Sequence, residues 1–159
     1  MRFVGRVFKV GRYWAVEVPI LGVVTQGRSR RDALEMIADA IESLVNKPGF
    51  KVRTYSGKGG YFEVGAEDQA ALTALLLRRE RLKSGLSLSQ VAARLGAKSL
   101  NAYARYEQGR ATPTIQKLSQ LYSAVASNGD FVVTESAANR GGDAAGGGQP
   151  SCTTFNPIR

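Results

Sequence analysis

The sequence from Leu86 to Gly109, LSLSQVAARLGAKSLNAYARYEQG, contains the start and stop signals of two short helices joined by a tight turn. Ser87 can cap the first helix, since its hydroxyl can accept from the free amides of the first turn, and Gln90 three residues on completes a capping box. Gly96 supplies a permissive backbone that ends this helix. Ser99 can cap the second helix, which the final glycine terminates. The stretch therefore predicts a helix, a turn and a helix.

The second helix has two different sides. Tyr103 and Tyr106 can face inward, whereas Asn101, Ala102 and Arg105 point away from them. Asparagine and arginine are side chains that pair with base edges in the major groove. We therefore predict DNA contacts on this helix and beside it, through Lys98, Ser99, Leu100, Asn101, Arg105 and Arg110. Arg79 and Arg81 on the preceding helix are candidates for phosphate contacts, and the equal alternative is that their basic run is only a solvated face.

This stretch resembles the helix-turn-helix of the Cro and phage-repressor type, also called the XRE family, over roughly residues 70 to 126. Leu88 stands where the family usually has a glutamine, and the turn carries an extra residue at Ala97-Lys98. The resemblance implies that the second helix reads operator DNA and that Ser99 caps it. The residues that match the family's pattern are Gly85-Leu86-Ser87, Val91-Ala92, Leu95-Gly96 and Tyr106-Glu107-Gln108-Gly109.

The composition agrees with a nucleic-acid partner. The chain has 159 residues, 43% of them hydrophobic, which suits two small domains. Its 22 lysines and arginines outnumber 13 acidic residues, so the net charge is +9 and the isoelectric point is near 10.1. A basic chain favours a polyanionic partner, and operator DNA is the one that suits a helix-turn-helix.

Several classes of protein are disfavoured. No stretch approaches the roughly 20 apolar residues of a membrane span, and the N-terminus MRFVGRVFKV lacks the apolar core of a signal peptide, so we expect a cytoplasmic protein without a membrane partner. Cys152 is the only cysteine and there is no histidine, which argues against a disulfide, the usual zinc sites and His-dependent triads. We expect no catalytic residues, no metal and no cofactor.

The first 65 residues predict a separate α+β module. Alternating apolar residues and turn signals place three strands before a strongly amphipathic helix, with one or two strands after it. The expected strands are residues 2–10, 13–18, 23–25, 50–55 and a possible 61–64, and the helix is 30–45, with Ser29 as its cap and Leu34, Ile37, Ala38, Ile41 and Val45 on its apolar stripe.

This order resembles the N-terminal domain of HicB antitoxins, a partial RNase H-like β-β-β-α-β fold. The resemblance lies in YWAVEVPILGVVTQG (13–27) followed by RSRRDALEMIADAIESL (28–44). Pro19-Ile20-Leu21-Gly22 lacks the second proline that the family's loop usually carries. The resemblance implies an antitoxin whose first domain binds and neutralises a HicA-type toxin that cleaves mRNA, and whose second domain represses its own operon.

Two sets of residues in the first module are candidates for binding the toxin. The first set is an acidic stripe on the helix, Asp32, Glu35, Asp39 and Glu42, which could complement a basic RNA-cleaving protein. The alternative is that these carboxylates only solvate the helix. The second set is Tyr13 and Trp14, because exposed aromatic residues often dominate an interface, although either could instead be buried in the sheet.

After the helix-turn-helix, Thr112 can cap another helix with Pro113 in its first turn. Its expected packing stripe is Ile115, Leu118, Tyr122 and Val125. Residues 127–136 could form a short strand or extension. Residues 137–159 are rich in Gly, Ala, Ser and Asn without an apolar stripe, so we expect a disordered tail.

The sequence thus predicts an α+β chain with a toxin-binding domain at 1–65 and an all-α DNA-binding domain at 66–126. Repressors of this type bind half-sites as dimers, so we expect a homodimer or a higher even-numbered oligomer. Besides the antitoxin, a stand-alone transcription regulator whose first domain oligomerises or senses a signal fits the sequence. An RNase H-like nuclease fits poorly, because Glu17 and Glu63 are the only acidic residues on the strands.

Overall fold

The computed structural model describes residues 1–97, 99–126 and 132–136. Its strands are β1 (Arg2–Val10), β2 (Tyr13–Val18), β3 (Val23–Gly27), β4 (Val52–Ser56) and β5 (Tyr61–Ala66), with a 3-10 turn at Pro19–Leu21. Its helices are α1 (Arg30–Val45), α2 (Gln69–Lys83), α3 (Leu88–Arg94), α4 (Asn101–Glu107) and α5 (Ile115–Val125). Lys98, Phe131 and the predicted tail at 137–159 lie outside the described residues.

The five strands form one sheet in the order β3-β2-β1-β5-β4, and every neighbouring pair in that order is antiparallel. Strand β1 is central because it pairs with β2 on one side and with β5 on the other. Phe3 and Val7 point from β1 into the core, and the alternate residues of the strand point to the other face. The mixed α+β class is confirmed, and the optional fifth strand is present.

Helix α1 covers one face of the sheet. The Ser29 hydroxyl accepts from the backbone N–H three residues on at 3.1 Å, which confirms the predicted cap. Ile37 and Ile41 are fully buried and anchor the helix to the sheet. Ala33 is also fully buried, whereas Ala38 of the predicted stripe is only half-buried, so the buried stripe is rotated slightly from the one expected.

No helix of the described chain covers the opposite face of the sheet, and we call it the open face. Residues 132–136 reach its edge, where the Ser136 hydroxyl accepts from Arg2 at 3.2 Å and donates to Glu63 at 2.6 Å. Strand β1 presents Val4, Phe8 and Val10 there, interrupted by Arg6. Cross-strand neighbours extend this surface, since Val10 pairs with Tyr13 of β2. The exposed apolar side chains of the open face are Val4 55%, Phe8 45%, Val10 55%, Tyr13 36%, Val24 70% and Tyr61 52%.

Helix α2 belongs to two hydrophobic cores at once. Leu72, Leu75 and Leu76 are buried with the sheet and α1, while Leu77 is buried with α3, α4 and α5. A helix that is apolar on nearly all sides is expected where both sides are buried. The boundary predicted after residue 65 therefore precedes a helix that packs against both modules.

Helix α5 begins later than predicted. Thr114, and not Thr112, is the cap, because its hydroxyl accepts from the Lys117 N–H at 3.2 Å. Pro113 therefore precedes the cap instead of occupying the first turn. Ile115 is 73% exposed and does not belong to the packing stripe, although Leu121, Tyr122, Ala124 and Val125 are buried. The strand expected within 127–136 is not formed by residues 132–136.

Gly27 allows the close approach of β3 and α1. A Cβ atom at this position would lie 2.3 Å from the amide nitrogen of Ala33 and 2.7 Å from its Cα. These are backbone atoms, so they cannot rotate away as a side chain would. The first turn of α1 is therefore seated directly on the end of the strand.

Replacing Gly27 by Ala should lower the free energy of unfolding by roughly 1–3 kcal/mol, because the added methyl group overpacks this contact. Urea denaturation followed by circular dichroism measures the change. Gly11→Asn is the control. Gly11 has φ +59°, and a Cβ added there would have no heavy atom within 4 Å. Asparagine tolerates that backbone conformation. An equal midpoint for Gly27→Ala and the wild type would contradict the close packing.

Candidate nucleic-acid interface

Helices α3 and α4 are held in a small hydrophobic core with α2 and α5. The buried residues of this core are Leu77, Val91, Tyr103, Tyr106, Leu121, Ala124 and Val125. Tyr103 is fully buried and Tyr106 is 7% exposed, which confirms that both tyrosines face inward. The other side of α4 is thereby turned to the solvent.

The capping box predicted for α3 is present. The Gln90 N–H donates to the Ser87 hydroxyl at 3.2 Å, and the Ser87 N–H donates to the Gln90 side chain at 2.8 Å. Gly96, with φ +61°, ends the helix in a Schellman motif in which the Ala97 N–H donates to the Ala92 carbonyl at 3.0 Å. The turn that separates α3 from α4 therefore starts from a fixed backbone geometry.

The start of α4 is tighter than a regular helical end. The Ser99 hydroxyl accepts from the Asn101 N–H at 3.2 Å, and the Ala102 N–H donates to the Ser99 carbonyl at 3.1 Å. Leu100 already has helical backbone angles, so Ser99 performs the capping that the sequence predicted while the regular helix begins at Asn101. Ser99 and Leu100 are both exposed at this end.

A buried ion pair fixes α4 to α2. The Arg81 guanidinium donates to both carboxylate oxygens of Glu107, at 2.7 and 3.0 Å, and their side chains are only 13% and 6% exposed. Arg81 also donates to the Leu86 carbonyl at 2.9 Å, and the Tyr103 hydroxyl donates to Glu107. Glu107 raises the pKa of Arg81, and burial raises the pKa of Tyr103, so arginine stays charged and tyrosine neutral at physiological pH.

The exposed side of α4 forms a shallow groove of about 520 Å³. Asn101, Ala102 and Arg105 line it, as the sequence predicted. Gln108 and Arg110 also line it, and both are exposed. Sequence reasoning missed Gln108, although its spacing of three residues after Arg105 places it on the same side of the helix. We call this surface the reading groove.

Arg105 is held in place by its neighbour. Its guanidinium donates to the Tyr106 hydroxyl at 3.2 Å and lies 5.0 Å from the centre of the Tyr106 ring. The ring is itself fixed in the core, so the arginine is partly ordered before any ligand arrives. An arginine in this arrangement can present its remaining N–H groups to a guanine edge or to a phosphate.

Three arginines of α2, Arg78, Arg79 and Arg81, donate hydrogen bonds to other parts of the chain. Arg79 donates to the Leu21 and Gly22 carbonyls at 2.8 and 2.9 Å, and Arg78 donates to the Leu44 carbonyl. Arg81 is bound to Glu107, as described above. Phosphate contacts by Arg79 and Arg81 stay predictions, but this geometry disfavours them, because each guanidinium would have to leave its partners.

The acidic stripe on α1 is largely paired within the chain. Asp32 accepts from the Arg28 N–H at 2.7 Å, and Glu35 pairs with Arg31 at 2.8 Å. Glu42 accepts from Lys51 at 2.8 Å and from the Val52 N–H at 2.9 Å, and these bonds lower its pKa. Asp39 is exposed. Glu42 therefore ties α1 to β4, which sequence analysis did not anticipate.

Tyr13 and Trp14 cannot serve one contact together. They are neighbours on β2, so their side chains point to opposite faces of the sheet. Tyr13 is 36% exposed on the open face, whereas Trp14 is half-buried and packs against the core. Of the two alternatives considered for these residues, burial against the core holds for Trp14, and an exposed position holds for Tyr13.

The helix-turn-helix family matches the chain at residues 77–124. This range begins within α2 and includes α3, α4 and most of α5. These residues form a helix-turn-helix domain of the Cro/C1, or XRE, type. No curated protein and no solved structure matches the chain significantly. The described residues contain no helix long and apolar enough to cross a membrane.

Replacing Glu107 by Gln should lower the free energy of unfolding by about 3 kcal/mol, because Arg81 would remain buried without its counter-charge. Chemical denaturation measures the loss. Glu35→Gln is the matched control: its partner Arg31 is 90% exposed, so solvent screens that pair and the change should cost much less. Equal, small effects of the two substitutions would show that the Arg81–Glu107 pair does not hold α4 in place.

Proposed function

We propose that this chain is a transcription regulator that binds an operator through the reading groove of α4. The observation that carries the proposal is the construction of that groove. Two tyrosines and a buried ion pair hold one side of α4, and the opposite side exposes asparagine, arginine and glutamine side chains. The matched helix-turn-helix family supports the same reading.

The groove residues suit different parts of the duplex. Asn101 and Gln108 have the amide groups that pair with adenine, and Arg105 has the fork that pairs with guanine. Leu100 is 49% exposed at the start of α4, where it could meet a thymine methyl group. Arg110 follows the helix and suits a phosphate, which positions the domain without reading sequence.

A single α4 offers few contacts, so tight binding requires two copies on two half-sites. The proposed regulator is accordingly a homodimer or a higher even-numbered oligomer. Its operator should contain two related half-sites whose centres are separated by one helical turn or a multiple of it.

Arg105→Ala should weaken operator binding by about 1–3 kcal/mol and relax the preference at one base position, whereas Arg110→Ala should weaken all sequences alike and reduce the salt dependence. Fluorescence anisotropy on DNA from the region upstream of the gene, at several salt concentrations, separates the two effects. Arg12→Ala is the control, because it removes the same charge from the β1–β2 turn. The proposal fails if the chain shows no preference for that DNA over random duplex.

A HicB-type antitoxin is a second candidate function. What supports it is the order of elements in residues 1–66, since three strands, an amphipathic helix and further strands are the arrangement that the resemblance implies. Its partner would be a HicA-type toxin that cleaves mRNA, and the first module would be a partial RNase H-like domain. In either role we propose a binding protein and not an enzyme.

If a basic toxin binds α1, then reversing Glu35 and Asp39 to Lys should abolish neutralisation in cells that co-express the toxin from the neighbouring gene. These two carboxylates are exposed, so their reversal should leave the fold intact, as circular dichroism can verify. Glu42 is avoided because it holds β4 to α1. Arg31→Glu is the control, since it changes charge on the same helix in the opposite direction. Full neutralisation by the reversed chain would reject this surface.

A further inference from the structure

The open face of the sheet is an unusual surface for a chain of this charge. Six large apolar side chains are between 36% and 70% exposed there. Three of them, Val4, Phe8 and Val10, lie on the central strand, where Arg6 and its partner Glu17 separate Val4 from the other two. Soluble monomers rarely expose a contiguous apolar patch of more than a few hundred Å² unless it binds something. The face is therefore a candidate interface.

The arginines on the strands of the open face are paired with carboxylates, while Arg12 of the β1–β2 turn lies over the Tyr13 ring, 5.2 Å from its centre. Arg6 donates to Glu17 at 2.8 Å, and Arg2 pairs with Glu63 at 3.2 Å. Arg53 pairs with Glu67 at the border of the sheet. The face is thus close to neutral, although the chain as a whole carries +9.

Neutrality selects the kind of partner. A nucleic acid or a strongly basic protein would need an excess of one charge, which this face does not offer. A second copy of the same face is neutral as well and equally apolar, so the two can meet without repulsion. Other basic surfaces of the chain would repel their own copies.

The dimensions of the face are sufficient. Five strands spaced about 4.8 Å apart are about 24 Å wide, and six residues at about 3.3 Å each are about 20 Å long. Two such faces stacked together bury on the order of 1,000 Å² in total, which reaches the lower limit for a specific interface. Two sheets stack at about 10 Å with their side chains interdigitated, as in a β-sandwich.

We propose that two copies of this chain dimerise by stacking the open faces of their sheets. The proposal rests on the proposed function in one respect, namely that an operator-binding protein of this type needs two copies. It identifies which surface joins them: the first module forms the dimer while α4, on the other side of α2 from the sheet, remains free for DNA.

The test is light scattering coupled to size-exclusion chromatography on the full chain across micromolar concentrations. We expect a wild-type dimer and a Phe8→Glu variant that is monomeric, because a buried carboxylate in each copy opposes stacking. Met36→Glu is the control: Met36 is 42% exposed, close to the 45% of Phe8, but it lies on α1. This control should remain dimeric.

A second variant keeps the strand intact if Phe8→Glu fails to fold. Val4→Thr with Val10→Thr retains β-branched residues that favour strands, and the lost apolar burial should raise the dimer dissociation constant by about tenfold or more. The proposal is overturned if light scattering shows that the wild-type chain stays monomeric. That result would mean that the open face binds residues 137–159 or another protein instead of a second copy. A dimer that neither variant weakens overturns the proposal as well.

DNA binding distinguishes this proposal from the proposed function. The monomeric variant should keep its affinity for a single half-site, because α4 is unchanged, and should lose the extra affinity for the two-site operator. If Phe8→Glu dissociates the dimer but neither protein prefers the operator, then the interface is correct and the proposed function is wrong. If the chain prefers the operator but neither open-face variant weakens the dimer, then the proposed function is correct and the proposed interface is wrong.

Discussion

The burial of α2 on both sides is the constraint on which the structure depends. Leu72, Leu75 and Leu76 complete the core of the sheet module, while Leu77 enters the core of the helix-turn-helix. The polar residues of the same helix reinforce this double role. Arg79 donates to the carbonyls of Leu21, the last residue of the 3-10 turn, and Gly22, and Arg81 pairs with Glu107 of α4. A disturbance of α2 should therefore reach both the sheet and the reading groove. The chain is better described as two modules that share one helix than as two independent domains joined by a linker.

This arrangement explains how a strongly basic chain can present a selective DNA surface. Many of its arginines are engaged within the fold. Arg78 and Arg79 donate hydrogen bonds to backbone carbonyls. Arg2 and Arg6 form ion pairs on the open face. Arg105 and Arg110 remain exposed in the groove of α4. Placement of charge, and not its total, distinguishes the surface that we propose for DNA binding.

Local signals in the sequence were sufficient for much of the fold. The capping box of Ser87 with Gln90 and the cap at Ser29 involve neighbours within one helical turn, and both were predicted correctly. Thr112 was mistaken for Thr114 because either threonine beside Pro113 can cap a helix, and the local sequence does not distinguish them. The phosphate roles given to Arg79 and Arg81 rested on their charge and on a helix that flanks the helix-turn-helix, and they stay predictions. The contacts that disfavour them, to Leu21 and Glu107, join residues distant in sequence, so local signals could not show them. Gln108 was missed because it was considered only as part of the family pattern Tyr106-Glu107-Gln108-Gly109, and not for its position three residues after Arg105.

The central claim is that the exposed side of α4 is where DNA binds. Hydrogen–deuterium exchange of the full chain, with and without duplex DNA from the region upstream of its gene, tests this most directly, because it locates the contact without altering any residue. We expect slower exchange at the amides of residues 99–114 when DNA is bound, with the strands of the open face unchanged at constant protein concentration. Protection confined to residues 1–66, with none in α4, would contradict the claim.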